Sequence, residues 1–283
     1  MNWKSDVSLT DKTSQFRADL HCHSTCSDGT FSPVELISHA KQIGLKGLSI
    51  TDHDTVEAYK TAIPAAKEQG ILLGTGVEFS CIFKQWSIHI LGYDFLIDDP
   101  GILNLCAQHQ HRRLKRNQAI LDVLAKLRMP ISEEELRAKG EDSIGRPHIA
   151  QLMVDKGYVS SIREAFQQYL GDGKRAFVSG DPFSIPETID IIHQAQGKAF
   201  LAHPHLINRN HLIKELLRLP FDGIECYYGR FLADQEKRWV KLAQEKNLLK
   251  SGGSDFHGDI KAYVPLGSSW VDESSFRVIF EKI

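Results

Sequence analysis

From Phe16 onward, short apolar or β-branched runs alternate with amphipathic segments of helical period, the pattern of βα units laid around a parallel sheet. The apolar runs predict seven strands, at 17–22, 46–51, 71–77, 86–93, 198–202, 221–226 and 248–252. After the first, Ser32-Pro33-Val34-Glu35 supplies an N-cap, a proline at the first helical position and a capping-box glutamate, so a helix should run to about Ile43 and stop at Gly44. A second helix is expected over 55–69, kinked at Pro64 and ended by Gly70, and a third over 186–196 behind the capping box Ser184-x-x-Glu187. The alternation breaks between 100 and 180, where the pattern is almost wholly helical with punctuation at Met129-Pro130 and Gly145-Arg146-Pro147. The chain therefore reads as α/β: a polar tail at 1–15, a scaffold made of 16–99 and 181–283, and a helical insertion at 100–180 placed to act as a lid.

Composition narrows the partners. With 34 Lys plus Arg against 36 Asp plus Glu, the formal charge of −2 gives no overall basic field for holding duplex DNA or an anionic membrane. No apolar run approaches the ~20 residues needed to span a bilayer. An odd count of five cysteines, and an opening segment with neither basic leader nor apolar core, point to a reducing cytoplasm. Cys22, Cys81 and Cys226 read as small core residues, while Cys26 lies close in sequence to a cluster of potential metal donors. The 13 histidines are the departure from an ordinary soluble chain, and their placement points to a specific chemistry.

His21-Cys22-His23 closes the first predicted strand, Asp52-His53-Asp54 follows the second, Glu78 follows the third and His89 lies in the fourth. His203-Pro204-His205 follows the fifth, Glu225 ends the sixth and Ser254-Asp255-Phe256-His257 follows the seventh. Loops at the carboxyl ends of parallel strands converge on one mouth, so all these groups should meet there. His21 and His23 stand two apart in extended chain and can face one cation; Asp255 and His257 repeat the spacing. Mixed imidazole and carboxylate donors suit Zn²⁺, Mn²⁺ or Fe better than Ca²⁺ or Mg²⁺, and so many donors call for more than one ion.

The run ADLHCHSTCSDGTFSP, followed in order by GLSITDHDT, GVEFS, IHILGY, AHP and GGSDFH, resembles the PHP (polymerase and histidinol phosphatase) family. The resemblance implies a distorted (β/α)7 barrel around a centre of two or three divalent metal ions, Mn²⁺ foremost, with Zn²⁺ or Fe²⁺ as alternatives. It implies that His21 and His23 ligate one ion with Glu78 and Asp255 as bridging carboxylates. By the same resemblance, Glu78, His89 and His203 hold a second ion, and Asp28, His53 and His257 a third. Some relatives carry histidine where this chain has Asp28.

Within the insertion, Ser143-Ile144-Gly145-Arg146-Pro147-His148-Ile149-Ala150 and Gly173-Lys174-Arg175-Ala176-Phe177-Val178 resemble the stand-alone bacterial branch of that family. This branch includes 3′,5′-nucleotide bisphosphate phosphatases and a 5′ to 3′ exoribonuclease. Arg146 offers a planar fork for phosphate oxygens and Lys174 a mobile charge, with His148 beside them. The basic stretch His111-Arg112-Arg113-Leu114-Lys115-Arg116 reads as a charged, solvated helix face rather than an RNA track. The expected activity is phosphoester hydrolysis by a hydroxide shared between metals, with His205 or a metal-bound water giving the leaving oxygen its proton. The expected substrate is a small phosphorylated nucleotide or short single-stranded RNA. Histidinol phosphate, a silent binding module and a C–N hydrolase remain as alternatives, and the oligomeric state is open.

Overall fold

A computed structural model describes residues 15–139, 144–180 and 183–283; the expected tail, apart from Gln15, and Ser143 of the insertion motif lie outside the described residues. Among the described residues eight strands form two sheets, β1 (Ala18–Cys22), β2 (Gly47–Ile50) and β3 (Leu72–Leu73) in one, and β4 (Gly76–Phe83), β5 (Trp86–Tyr93), β6 (Lys198–Leu201), β7 (Gly223–Tyr228) and β8 (Leu249–Gly253) in the other. The helices are α1 (Pro33–Gln42), α2 (Tyr59–Gln69), α3 (Pro100–Lys126), α4 (Glu133–Arg137), α5 (Arg146–Asp155), α6 (Ile162–Ala165), α7 (Ile185–Gln194), α8 (Pro204–Ile207), α9 (Asn210–Leu216), α10 (Ala233–Glu245) and α11 (Glu273–Ile279). No helix among the described residues is long and apolar enough to cross a membrane.

The fold is mixed α/β, and its ladders depart from seven parallel strands. The expected third strand divides where Gly74 lies against the ring of Phe280, and Glu78 falls inside the following strand rather than after it. β4 and β5 are antiparallel, paired from Gly76↔Tyr93 to Phe83↔Trp86 across the two-residue turn Lys84-Gln85, with Lys84 at φ 50°. Two residues cannot carry a parallel crossover, which needs a dozen or more. β5 pairs antiparallel with β6, while β6, β7 and β8 run parallel. Single bridges join the sheets at their ends: His53↔Glu78 between the β2 loop and β4, and Cys22↔Phe256 between β1 and the β8 loop. Both bridges carry or flank proposed ligands.

The local signals account for the helix ends. Ser32 Oγ accepts from the Glu35 N–H at 3.3 Å while the Glu35 carboxylate accepts from the Ser32 N–H at 2.7 Å, closing the capping box on α1. Gly70 at φ 68° ends α2, which begins at Tyr59 rather than 55 because the chain after His53 turns through Asp54 at φ 58°. One large core lies between the five-stranded sheet, α3, α7 and α9, and a smaller one beneath α1 and α2. A third gathers residues from Ile120 to Ala176 alone, so α3 contributes its first half (Ile102, Leu105, Cys106) to the sheet core and its second (Ile120, Leu121, Leu124) to the insertion's own.

Candidate metal centre

Alternation along β1 buries Leu20 and Cys22 on the core side and turns His21 and His23 together toward the other face. On β4, Glu78 and Ser80 share a face with His89 of β5, which pairs opposite Ser80. His203 leaves β6 at the strained φ of 23°, and Asp255 leaves β8 at φ 56°. Gly253 permits this approach, since a Cβ there would fall 2.3 Å from the His21 nitrogen.

The donors converge in three groups: His21, His23 and Asp255; His53, Glu78 and His89; and His23, Asp28, His53 and His257. Glu78 Oε2 lies 3.3 Å from His21 Nε2 and 3.2 Å from both His23 Nε2 and His53 Nδ1, while its Oε1 is 2.8 Å from His89 Nδ1 and from His203 Nε2. Asp255 Oδ1 is 3.4 Å from His21 Nε2 and 3.3 Å from His23 Nε2. Asp28 Oδ1 lies 3.5 Å from His257 Nε2 and 3.6 Å from His23 Nδ1, and its Oδ2 is 3.8 Å from His53 Nε2. All nine residues predicted to ligate metal therefore meet at one place. His53 faces both Glu78 and Asp28 and stands between two groups.

These contacts have the character of ligands around cations. His21 Nε2 and both ring nitrogens of His23 are buried and lack a hydrogen-bond partner, although carboxylate oxygens lie 3.2–3.6 Å away. Donors bonded at ~2.1 Å to a common tetrahedral ion would themselves be ~3.4 Å apart, so lone pairs aimed at a shared point give these spacings without donating to each other. The donor set of imidazole and carboxylate fits Zn²⁺, Mn²⁺ or Fe²⁺.

Outer contacts fix the donors. Glu225, within β7, accepts from His21 Nδ1 at 2.8 Å and from the His203 N–H at 2.6 Å, so His21 is left with Nε2 facing the centre. Asp255 Oδ2 accepts from Tyr228 Oη and Lys261 Nζ, each at 2.7 Å. Asp52 belongs to none of these donor groups; it accepts from the Ser24 N–H and from the Ser24 and Ser27 hydroxyls, holding the loop that carries Asp28.

The charge balance reflects this crowding. Burial penalises the charged form of His23, but the Asp255, Glu78 and Asp28 carboxylates around it outweigh burial and push the ring up to about 9. Burial prevails at His53 and His257, each lowered to about 3. Against burial, surrounding imidazoles hold Asp28 and Glu78 well below the usual carboxylate range, and Lys261 and His257 do the same for Asp255.

Above the donors lies a cavity of about 760 Å³ lined by Asp28, His53, His89 and His257 on one side and by arginines on the other. Here the reading of 111–116 as a solvated face is overturned: Arg112, Arg113 and Arg116 are buried and line the cavity, while His111, Leu114 and Lys115 are the exposed residues. Arg113 donates through Nε to Asp54 Oδ2 at 2.7 Å and through Nη2 to Ser80 Oγ at 3.0 Å. Asp54 in turn takes the Ser80 N–H at 2.8 Å and gives its own N–H to the Glu78 carbonyl at 3.0 Å, which ties the arginine wall to the metal loops.

The remaining expected residues divide. Arg146 lines the cavity, with Nη1 donating to Asp172 Oδ1 at 3.0 Å and the Leu170 carbonyl at 3.2 Å. His148 is buried, and its Nδ1 accepts from the Gly145 N–H at 3.1 Å. Lys174 is exposed and lines none of the cavity. His205 packs against Tyr228 and Phe231, faces a separate hollow beside Arg238 and Trp239, and is lowered by burial to about 3. The structure thus brings Arg146 to the metal centre's cavity but not Lys174 or His205.

Comparison with known proteins agrees with the geometry. Residues 19–233 match the PHP domain. A 5′-3′ exoribonuclease of Haemophilus influenzae is 39% identical over 84% of this chain and 89% of its own. A 3′,5′-nucleoside bisphosphate phosphatase of Chromobacterium violaceum is 31% identical over 84% of this chain and 86% of its own. The crystal structure of a protein assigned as a metal-dependent phosphoesterase, from Bifidobacterium adolescentis, superposes with a TM-score of 0.84 at 29% identity, covering 93% of this chain and 94% of that one.

Proposed function

The chain belongs to the PHP domain family, and from that premise we propose that it is a metal-dependent phosphoric ester hydrolase. Its substrates are small phosphorylated nucleotides of the 3′,5′-bisphosphate type and the 5′ ends of short single-stranded RNA, the classes named for the Haemophilus and Chromobacterium relatives. The observation that carries this reading is a cluster of imidazole and carboxylate donors, four of which (Asp28, His53, His89 and His257) line one cavity together with six arginines. In this reading 16–99 and 181–283 make a distorted barrel closed by the two single bridges, and 100–180 caps it. A cytoplasmic location suits its five cysteines, none of which is in a disulfide.

The residues that would hold two or three divalent ions, Mn²⁺ foremost, are His21, His23 and Asp255; Glu78, His89 and His203; and Asp28, His53 and His257. Such ions supply Lewis acidity toward phosphoryl oxygens and lower the pKa of water. The chain's own contribution is positioning and charge. Glu225 fixes the His21 tautomer, Tyr228 and Lys261 hold the Asp255 carboxylate, and Asp54 holds Arg113 in the cavity. Arg146 presents its planar fork to a phosphate, where developing charge is neutralised without reorganisation. With His205 facing another hollow, the leaving oxygen takes its proton from water in the cavity.

The test joins metal analysis of the purified protein to phosphate release from 3′,5′-bisphosphonucleotides, histidinol phosphate and 5′-phosphorylated oligoribonucleotides. Bound metal with turnover of the nucleotide esters is expected. Glu78→Ala should lose more than one metal equivalent and its activity. A metal-loaded protein inert toward every ester, or a Glu78→Ala variant with full metal and rate, would reject the reading.

A further inference from the structure

Two loops that grip the same metal donor also carry an exposed pair of side chains to the rim of the cavity. Tyr228, at the end of β7, and Lys261, in the turn after β8, both donate to Asp255 Oδ2 at 2.7 Å. Two residues beyond them stand Arg230 and Tyr263, in each case within about 7 Å of chain. The Arg230 guanidinium lies 4.7 Å from the centre of the Tyr263 ring. Arg230 has no ion pair or hydrogen bond among the described residues, and Tyr263 is 65% exposed with its hydroxyl bonded to no other described residue.

Close backbone approaches bring this pair together. A Cβ on Gly229 would fall 2.6 Å from Ser268 Oγ, 2.8 Å from the Ser254 carbonyl oxygen and 3.1 Å from Val264 Cγ1, so glycine lets the exit of β7 come down on the buried Val264. Arg230 and Tyr263 are the chain neighbours of Gly229 and Val264. On the other side, Gly258 stands at φ 65° where a Cβ would collide with Thr30 Oγ1, and that oxygen accepts from the Asp259 N–H at 3.0 Å. The Val264 N–H donates to the Lys261 carbonyl at 2.8 Å. The tyrosine therefore stands on a fixed turn, and an aromatic ring already held in place loses little entropy on stacking.

Both residues line the cavity beside Ile260 and Lys261, while Phe166, which also lines it, belongs to the insertion and faces Arg146. A substrate end enclosed in the cavity leaves the rest of its strand to pass over this rim, next to the metal donors and away from the arginines of α3. We infer that Tyr263, flanked by Arg230, is a stacking platform for the nucleobase that follows the cleaved bond, the first base of the strand still outside. The inference rests on the phosphoesterase reading and deepens it by giving a second nucleotide its place. Every base has a π-face, so the platform favours oligonucleotides over mononucleotides without reading sequence. The guanidinium holds the ring by cation–π attraction and sets a positive charge beside the strand.

The experiment titrates the metal-loaded protein by calorimetry with two probes. One is a 5′-phosphorylated diribonucleotide whose linking phosphate is a phosphinate, both bridging oxygens replaced by methylene, so that the link cannot be hydrolysed. The other is the same molecule without its second base. In wild type, loss of that base should weaken binding by about 10-fold. In Tyr263→Ala the two probes should bind equally, and in Tyr263→Trp the penalty should be at least as large as in wild type. Both variants should keep the wild-type metal content and melting temperature, because the ring is exposed. A variant that was merely less well folded would bind both probes more weakly and leave the base penalty standing, and the cycle of two changes separates that case. An equal penalty in wild type and Tyr263→Ala would overturn the platform while ester turnover upholds the hydrolase. A wild type indifferent to the second base would do the same. A penalty that depends on Tyr263 in a protein that turns over no ester would uphold the platform and reject the hydrolase. A metal-loaded protein that binds neither probe would overturn both.

Discussion

Each donor histidine is as good as the atom behind it. Glu225 sees no cavity, yet it alone decides which nitrogen of His21 faces the centre. Glu225→Gln keeps a hydrogen-bonding group but removes the charge, and should weaken metal binding by about 10–100-fold, read by chelator competition. Proton and cation compete for His23, whose raised pKa near 9 means that metal uptake at neutral pH expels a proton. His21 is raised in the same direction, so affinity should rise with pH by roughly tenfold or more per unit through neutrality; calorimetry in buffers of different ionisation heat measures the released protons. A pH-independent affinity between 7 and 9 would contradict this. The donors were legible in sequence because ligand-type residues recur at successive strand ends, twice in i, i+2 pairs (His21/His23 and Asp255/His257). Glu225 was visible at its position but not in its role, since a supporting contact 204 residues away leaves no local pattern.

At the scale of the element, α3 explains what the sequence concealed. Its buried positions run Ile102, Leu105, Cys106, His109, Arg112, Arg113, Arg116, Asn117, Ile120, Leu121, Leu124, an unbroken i, i+3, i+4, i+7 stripe. Taken as a run of charge, 111–116 looks solvated; taken by period, its three buried arginines fall on the inner face. Composition hid what spacing would have revealed. Asp54 is the pin that keeps Arg113 on that face, and Asp54→Asn should destabilise the protein at pH 7 by about 3–5 kcal/mol, measured by urea unfolding, because a buried guanidinium loses its charge partner. Against burial, Arg113 and His109 hold the Asp54 carboxyl below its unfolded value. Its stabilisation is thus complete above the unfolded pKa and is lost only as pH falls through the depressed one, so the gap between variant and wild type should close only in strong acid.

For the whole molecule, the class α/β and the helical character of the described stretches 100–139 and 144–180 were readable, but the ladder was not. The eight residues between the predicted strands at 71–77 and 86–93 were too few for a parallel crossover, and that count already implied a hairpin. The turn Lys84-Gln85 lacks the Asn-Gly or Asp-Gly signature, so it passed unnoticed. The assembled cavity takes one wall from strand ends and the other from α3 and α5, which leaves room for a nucleotide or a frayed strand. In the proposed function, 5′-phosphorylated single strands should be cut and blunt duplexes resist until their ends melt, with a shallow salt dependence because few phosphates are held. Product sizes on a denaturing gel check this, and efficient internal cutting of an end-blocked duplex would contradict it.

The long helix also constrains how such a protein can diversify. Its arginines and its leucines occupy one reading frame, in which a turn spans about 3.6 residues. Gain or loss of a single residue in α3 would rotate everything beyond it by about 100°, swinging Arg116 toward solvent and Ile120 and Leu124 out of the insertion's core in the same event. Descendants of this chain can therefore explore new specificities by exchanging side chains along the stripe, whereas length changes have to be confined to the loops at either end of the helix.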